Sequence, residues 1–164
     1  MKKYLIFLLL CFFICVCAYA QDSVYSTWDT VEIDTCASAW LIKNFVDKEA
    51  QFKFYPKGEI ITAGIPFDTP DAELRRTDNM STFECIMKKF RINDPALKQI
   101  GEIIHDVEIN YWGKKIKQES EGLNKTIREI IDTSKNNQES LQKSFPVFDS
   151  LYEKLKRGAF RLNR

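Results

Sequence analysis

The sequence has 164 residues, with 24 lysines and arginines against 23 acidic residues and a single histidine. This balance provides no general electrostatic attraction to nucleic acid, so no nucleic-acid partner is expected. A zinc site built from several histidines of one chain is excluded. The sequence also contains no glycine-rich phosphate loop, HExxH motif, GxSxG elbow or EF-hand loop.

The chain begins with a pattern typical of a signal peptide. Two lysines precede an apolar run, residues 4–18, and an Ala-Tyr-Ala cleavage motif follows at residues 18–20. The run is shorter than the roughly 20 residues that span a membrane. We therefore expect cleavage after residue 20 and export to the periplasm or the medium, with residues 21–164 as one domain. A membrane anchor and a lipoprotein signal are the alternatives.

The first predicted helix covers residues 35–46, where apolar side chains recur at helical spacing. Asp34 or Thr35 stands at its start, and either residue is a favourable N-cap. The short stretch Asp34-Thr35-Cys36 therefore has two interpretations, a helix cap or a group of polar ligands at a helix end.

A small β element is predicted after this helix. Residues 51–55 alternate aromatic and polar side chains, which is typical of a short strand. Residues 59–64, which follow a Lys-Gly turn, are its expected hairpin partner. Residues 65–79 are rich in Pro, Asp, Thr and Arg, and we expect an ordered loop there.

The second half of the chain is predicted to be helical. Ser81 and Glu84 have the spacing of a capping box at the start of a helix that ends near residue 90. Asp94 followed by Pro95 predicts the next helix start. Three apolar stripes continue the pattern, and Pro146 is expected to kink or break the last. The stripes consist of Leu97, Ile100, Ile103, Ile104 and Val107; of Leu123, Ile127, Ile130 and Ile131; and of Leu141, Phe145, Phe148, Leu151, Tyr152 and Leu155.

These elements predict a mostly α fold with a small β element, an α+β domain of about four to six helices and a short hairpin. Two cysteines remain after the leader, Cys36 and Cys85, enough for one disulfide but not for a disulfide framework. On composition alone, Cys36 or Cys85 with His105 supplies the thiol and the base of a Cys–His nucleophilic pair. The simpler interpretation of Cys36 is a small buried residue near a helix start.

His105 lies off the centre of its apolar stripe and precedes Asp106. Its position near a helix end has two interpretations. A histidine there interacts favourably with the helix dipole. Alternatively, the His105–Asp106 pair projects into a polar site as a ligand or a proton-transfer group.

Several short motifs resemble the C-terminal domain of the chromate resistance protein ChrB. They occur in the family's order and with similar spacing over nearly the whole chain after residue 20. The motifs are D-x-x-A-S-A-W-L-I-K-x-F-V-D at 34–47, P-F-D-T-P-D-A-E at 66–73, T-F-E at 82–84, D-P-A-L at 94–97, I-I-H-D at 103–106, G-L at 122–123 and F-D-S-L-Y at 148–152.

The resemblance implies a chromate-resistance-like domain that binds a metal ion or a small oxyanion at helix ends. Carried over by position, the metal-ligand candidates are Asp34, Glu84, His105 and Asp106, which suit Mn, Fe or Zn. The family pattern has a histidine and a cysteine before T-F-E, where this sequence has Arg76 and Ser81. Arg76 favours an anion, or an ion pair with Asp34 or Glu84.

Two further functions stay open at this point. The chain is an interaction module if the family site has been lost, and changes at Asp34, Glu84 and His105 then affect only stability. It is an enzyme if Cys36, or His105 with Asp106, is reactive, although no motif gives positive support for catalysis.

Overall fold

The computed structural model describes residues 23–162. A three-stranded sheet and five α-helices in this part of the chain form one compact α+β domain, which confirms the predicted fold class. The predicted signal peptide, residues 1–20, lies outside the described residues. The elements in chain order are β1 (Val24–Trp28), α1 (Ile33–Leu41) with a π-helical turn (Ile42–Val46), β2 (Gln51–Tyr55), β3 (Ile65–Pro66), α2 (Thr82–Lys89), α3 (Pro95–Glu108), α4 (Ser120–Thr133) and α5 (Asn137–Leu162).

All strands of the sheet are parallel, and β1 lies between β2 and β3. The predicted strand at residues 51–55 is confirmed as β2, but the predicted hairpin with residues 59–64 is wrong. Strand β2 pairs with β1, which the sequence analysis did not identify, and residues 65–66 form the third strand. The Lys-Gly turn does form, with Gly58 at a φ of 86°. It changes the direction of the chain without pairing the two flanking segments.

The core is organised around α1, in which every residue is buried. The indole of Trp40 lies 5.8 Å from the ring of Phe148 on α5, measured between ring centroids. Its Nε1 donates a hydrogen bond of 2.7 Å to the carboxylate of Asp149. The indole therefore contributes apolar contact to the core while its single polar atom has a partner, as a buried tryptophan requires. This contact fixes α1 against α5.

The start of α1 differs from the prediction. The helix begins at Ile33, and its N-cap is Glu32. The backbone N–H of Glu32 donates to Oγ1 of Thr35 at 3.2 Å, the reciprocal bond of a capping box. Asp34 is inside the first turn, so its prediction as the cap of this helix is wrong, and its carboxylate is directed elsewhere.

The two caps predicted in the second half are confirmed. The Ser81 side chain accepts from Glu84 N, and the Asp94 carboxylate accepts from the N–H groups of Ala96 and Leu97. Helix α5, in contrast, continues through Pro146, so of the two predicted outcomes, a kink or a break, the break does not occur. Pro146 is on the exposed side of α5, where water can satisfy the carbonyl that loses its N–H partner. No helix of the described residues is both long enough and apolar enough to span a bilayer.

Candidate functional site

Asp34 connects the first turns of two helices. From inside α1, its carboxylate accepts hydrogen bonds from the backbone N–H groups of Thr82 at 2.6 Å and Phe83 at 3.0 Å. These are unpaired donors in the first turn of α2, so Asp34 satisfies the helix start from 48 residues away. Ser38, one turn further along α1, donates to the same carboxylate at 3.3 Å.

Asp68 is the second carboxylate at this junction. It follows β3 in the loop predicted at residues 65–79, and its φ of 53° is unusual for a residue other than glycine. Its carboxylate accepts from the hydroxyls of Thr35 at 2.5 Å and Thr82 at 2.6 Å, one from the first turn of α1 and one from that of α2. The N-termini of α1 and α2 therefore point to one position, and the carboxylate of Asp68 already occupies that position.

Glu108, in the last turn of α3, brings a third carboxylate close. Its side chain is only 9% exposed, and its Oε2 lies 2.7 Å from Nη1 of Arg76, whose side chain is 49% exposed. Arg76 was predicted to attract an anion or to pair with Asp34 or Glu84. Its ion-pair partner is Glu108, and not Asp34 or Glu84. We name Asp34, Asp68, Arg76 and Glu108 the carboxylate–arginine site.

Repulsion and burial both act on the acids of this site. Burial raises the pKa of Asp34 to about 6, against the opposing effect of the hydrogen bonds from Phe83 and Thr82. Burial, followed by the charge of Asp34, raises the pKa of Asp68 to about 7, although the guanidinium of Arg76 lowers it. Burial and then the charge of Glu32 raise the pKa of Glu108 to about 7. Three clustered carboxyl groups therefore titrate near neutral pH, a pattern typical of functional sites.

Two clefts open beside the site. One, of about 370 Å³, is lined by Asp68, Thr69, Pro70, Arg75 and Arg76, and we name it the arginine cleft. The other, of about 320 Å³, includes Glu32 and Glu108 among its lining residues. Each cleft is lined by one partner of the Arg76–Glu108 ion pair. Arg76 is therefore the basic group of this site that a solute in the arginine cleft can reach, beside the carboxylate of Asp68.

Glu84 and His105 form a separate pair. Nδ1 of His105 lies 2.9 Å from Oε2 of Glu84. The same Oε2 accepts from the backbone N–H of Ser81 at 2.8 Å, in the capping box of α2. The His105 side chain is 38% exposed. Glu84 thus has a structural role at the helix start, and His105 adds an interaction at the end of α3.

Asp106 is directed away from both groups. Its carboxylate accepts from the Ser120 hydroxyl at 2.6 Å, from the Asn110 amide at 2.9 Å, and from the backbone N–H groups of Ile116 and Lys117. Burial alone would raise the pKa of this carboxyl, but the four hydrogen bonds together lower it to about 2. Asp106 therefore stays ionised and holds the segment between α3 and α4.

The predicted ligands are thus only partly brought together. Asp34 and Arg76 belong to the carboxylate–arginine site, Glu84 and His105 form their own pair, and Asp106 is separate. Within residues 23–162, no group of three or more His, Cys, Asp or Glu side chains is arranged to hold a metal ion. The metal-ligand set inferred from the resemblance, Asp34 with Glu84, His105 and Asp106, is not assembled.

Two residues of the site, Asp68 and Glu108, were missed by the sequence analysis. Asp68 belongs to the quoted motif P-F-D-T-P-D-A-E, and its position in that motif was the available signal. Glu108 follows His105 by three residues and therefore lies on a neighbouring face of the same helix. Nothing local distinguishes either carboxylate from a solvated one.

The cysteines offer little reactivity. Cys36 and Cys85 are both free thiols, and Cys36 is fully buried. Burial raises the pKa of the Cys36 thiol to about 12, so the thiolate needed for nucleophilic attack is scarce at neutral pH. Burial also raises the pKa of Cys85. The simpler interpretation of Cys36, a small residue packed at a helix start, agrees with this geometry.

A sequence profile of the ChrB C-terminal domain matches residues 25–155, so the chain belongs to the ChrB C-terminal domain family. This confirms the resemblance of the motifs. Neither the curated proteins nor the solved structures include a match to the chain.

Proposed function

We propose that this chromate-resistance-like domain binds a small tetrahedral oxyanion in the arginine cleft, with Arg76 as the principal ligand. The observation that carries the proposal is the position of Arg76, which is half-exposed and lines the cleft while one of its nitrogens contacts buried Glu108. A guanidinium has five N–H donors in a planar fork, so one contact to a carboxylate leaves donors for an oxyanion.

Arg75 and Thr69 extend the set of donors in the cleft. Arg75 lines the same cleft and donates from Nη1 to the carbonyl of Ala72 at 2.8 Å, which orients its guanidinium. Two arginines on one cleft are a typical arrangement for a doubly charged anion. The helix N-termini are a less suitable place for the anion, because Asp34 and Asp68 already accept from their donors.

We propose that protonation of acidic groups in the protein strengthens anion binding. Asp68 and Glu108 repel an anion when they are ionised, and both have a pKa of about 7. Protonation of Glu108 also weakens its hold on Arg76 and leaves the guanidinium for the ligand. Because the acid forms dominate below neutral pH, we expect tighter binding at pH 6 than at pH 8.

The test is calorimetric titration of residues 21–164 with sulfate and with chromate at both pH values. Sulfate keeps its charge over this range while chromate gains a proton, so sulfate separates titration of the protein from titration of the ligand. Arg76→Gln should abolish binding, and Arg157→Gln, an exposed arginine on α5, is the matched control. Binding that survives in Arg76→Gln, or that strengthens with rising pH, would contradict the proposal.

A divalent cation is the second candidate, and one observation favours it. Asp34, Asp68 and Glu108 concentrate negative charge, and the hydroxyls of Thr35 and Thr82 add oxygen atoms. Oxygen ligands suit hard cations. Such a cation must displace Arg76 from Glu108 and draw the carboxylates together. Titration with Mn²⁺ and Zn²⁺ beside elemental analysis tests it, and stoichiometric metal lost in Asp68→Asn would favour the cation over the anion.

We further propose that the domain is exported. The basis is the charged, apolar and small-x-small pattern of residues 1–20. Expression of the full chain followed by N-terminal sequencing of the processed protein should give Gln21. Intact Met1 in a protein retained inside the cell would contradict export. If neither anion nor cation binds in any form, the alternative of an interaction module stands.

A further inference from the structure

The segment between α3 and α4, residues 109–119, presents large apolar side chains to solvent. Trp112 is 94% exposed and Ile116 is 81% exposed, and Tyr111 is also exposed. The rings of Tyr111 and Trp112 pack edge to face, with 4.8 Å between centroids. Single exposed apolar residues are common, but three within six residues of one loop form a patch that marks an interaction site. We name residues 109–119 the Trp112 loop.

The loop is held by internal contacts rather than by its aromatic residues. Asp106 accepts from the backbone N–H groups of Ile116 and Lys117 at 2.8 and 2.9 Å. The ammonium of Lys115 donates to the carbonyls of Asp106 at 2.8 Å and Asn110 at 2.7 Å. Polar groups at the base thus fix the loop, and the side chains of Trp112 and Ile116 have no part in that network. The backbone conformation held by these polar contacts directs both side chains into solvent.

The charged residues of the loop distinguish two classes of partner. Its three basic residues are Lys114, Lys115 and Lys117, and arginine is absent from residues 109–119. Protein interfaces are enriched in tryptophan, tyrosine and arginine but depleted in lysine. Segments at a membrane surface combine tryptophan, tyrosine and aliphatic residues with lysine, which is attracted to anionic headgroups. The Trp112 loop therefore has the composition of a membrane-surface segment.

We propose that the Trp112 loop docks on a bilayer surface that contains anionic lipid. Trp112, Tyr111 and Ile116 enter the headgroup region, and the ammonium of Lys114 faces the lipid phosphates. The positive charge is partly offset, because Lys117 pairs with Glu102 and the ammonium of Lys115 is bonded to the carbonyls of Asp106 and Asn110. Charge attraction is therefore modest and apolar contact is the larger contribution, which makes binding reversible and sensitive to salt.

The experiment is vesicle flotation with residues 21–164. Vesicles of phosphatidylcholine alone are compared with vesicles containing about 30% phosphatidylglycerol, at low and high salt. We expect binding to the anionic vesicles, a blue shift of the tryptophan emission, and weaker binding at high salt. Trp112→Ala should reduce partitioning about tenfold or more, because burial of a large apolar side chain is lost. Lys114→Gln should reduce it about fivefold.

A matched pair of isoleucines controls for exposed apolar surface in general. Ile60 is 84% exposed on the other half of the chain, so Ile60→Ser should leave partitioning unchanged while Ile116→Ser lowers it. Circular dichroism confirms that each variant is folded. Absence of binding by the unaltered protein, or equal loss in both serine variants, overturns the proposal. A dimer in light scattering that disappears in Trp112→Ala also overturns it, since a second copy then covers the loop.

Discussion

Two buried aspartates of this domain have pKa values that are shifted in opposite directions. Asp34 and Asp106 have about equally little exposed surface, and each accepts two backbone N–H groups. Yet the pKa of Asp34 is raised to about 6, and that of Asp106 is lowered to about 2. Burial raises the pKa of both carboxyls, but more strongly for Asp34, which lies deeper in the protein, and the hydrogen-bond donors and nearby charges of the two groups differ as well.

The depth and the neighbours of each group separate a structural carboxylate from a titratable one. Asp106 gains a hydroxyl bond of 2.6 Å from Ser120 and a side-chain amide bond from Asn110. Asp34 gains only a 3.3 Å bond from Ser38 and is repelled by Glu108, while its own charge raises the pKa of Asp68. Deep burial and the nearby charge of Glu108 therefore raise the pKa of Asp34, whereas four hydrogen bonds at a shallower position keep Asp106 ionised.

Of the variants that test this comparison, Asp106→Ala is expected to have the largest effect on stability. It leaves two backbone N–H groups and a buried hydroxyl without their acceptor, so the free energy of unfolding should fall by about 3 kcal/mol or more. Urea denaturation measures it. Asp132→Ala, at an exposed aspartate of α4, is the control and should change stability little. A small loss at Asp106 would mean that the hydrogen bonds do not stabilise the loop.

Asp34→Ala should have a smaller effect. The first turn of α2 loses its acceptor, which lowers the free energy of unfolding by about 1 to 2 kcal/mol. Relief of repulsion with Asp68 offsets part of this loss. Urea denaturation of the two alanine variants side by side measures the difference, and equal losses would show that repulsion at Asp34 is negligible.

The next effect is the pH dependence of stability. The folded pKa values of Asp34, Asp68 and Glu108 lie above their ordinary values of 3.8 and 4.5, so the folded state retains protons that the unfolded state has released. Stability from these groups is therefore fully present below about pH 4 and is lost as the pH rises towards about 7.

Asp106 has the opposite dependence, because its lowered pKa contributes stability above about pH 4 that is lost in acid. We therefore expect the melting temperature of the protein to be highest near pH 4 to 5 and to decline through neutrality. Asp68→Asn should make the decline shallower, as scanning calorimetry at several pH values can show. Stability that rises from pH 5 to 8 in the unaltered protein would contradict the raised pKa values.

The smallest effect is expected for His105→Ala. The histidine interacts with Glu84 but is partly exposed, so the free energy of unfolding should change by less than about 1 kcal/mol. Sulfate binding should remain as in the unaltered protein, because the pair lies outside the carboxylate–arginine site. Calorimetric titration measures this, and abolished binding would return His105 to the list of ligands.

Local features of the sequence predicted much of the fold. The caps at Ser81 and Asp94 and the apolar stripes of α3 to α5 involve residues within a few positions of each other, so one sequence suffices to identify them. The pairing of β1 with β2 and β3 joins residues distant in the chain, and a turn signal suggested the wrong partner. Parallel pairing has no such local signature.

The site was less predictable for the same reason. Asp34 has every property of a local cap, but its donors lie 48 and 49 residues away. Asp68 and Glu108 carry no mark in the sequence that they are buried or near other acids. Arg76 was identified by its departure from the family pattern, and only the fold shows that its partner is Glu108.

The central position of β1 bears on how the chain is made. Strand β1 precedes both of its partners, so during synthesis it emerges with two unpaired edges until residues 51–66 have followed. Exposed strand edges are where a nascent chain pairs with another chain and aggregates. We therefore expect residues 24–28 to be the segment that a general chaperone covers before the domain closes.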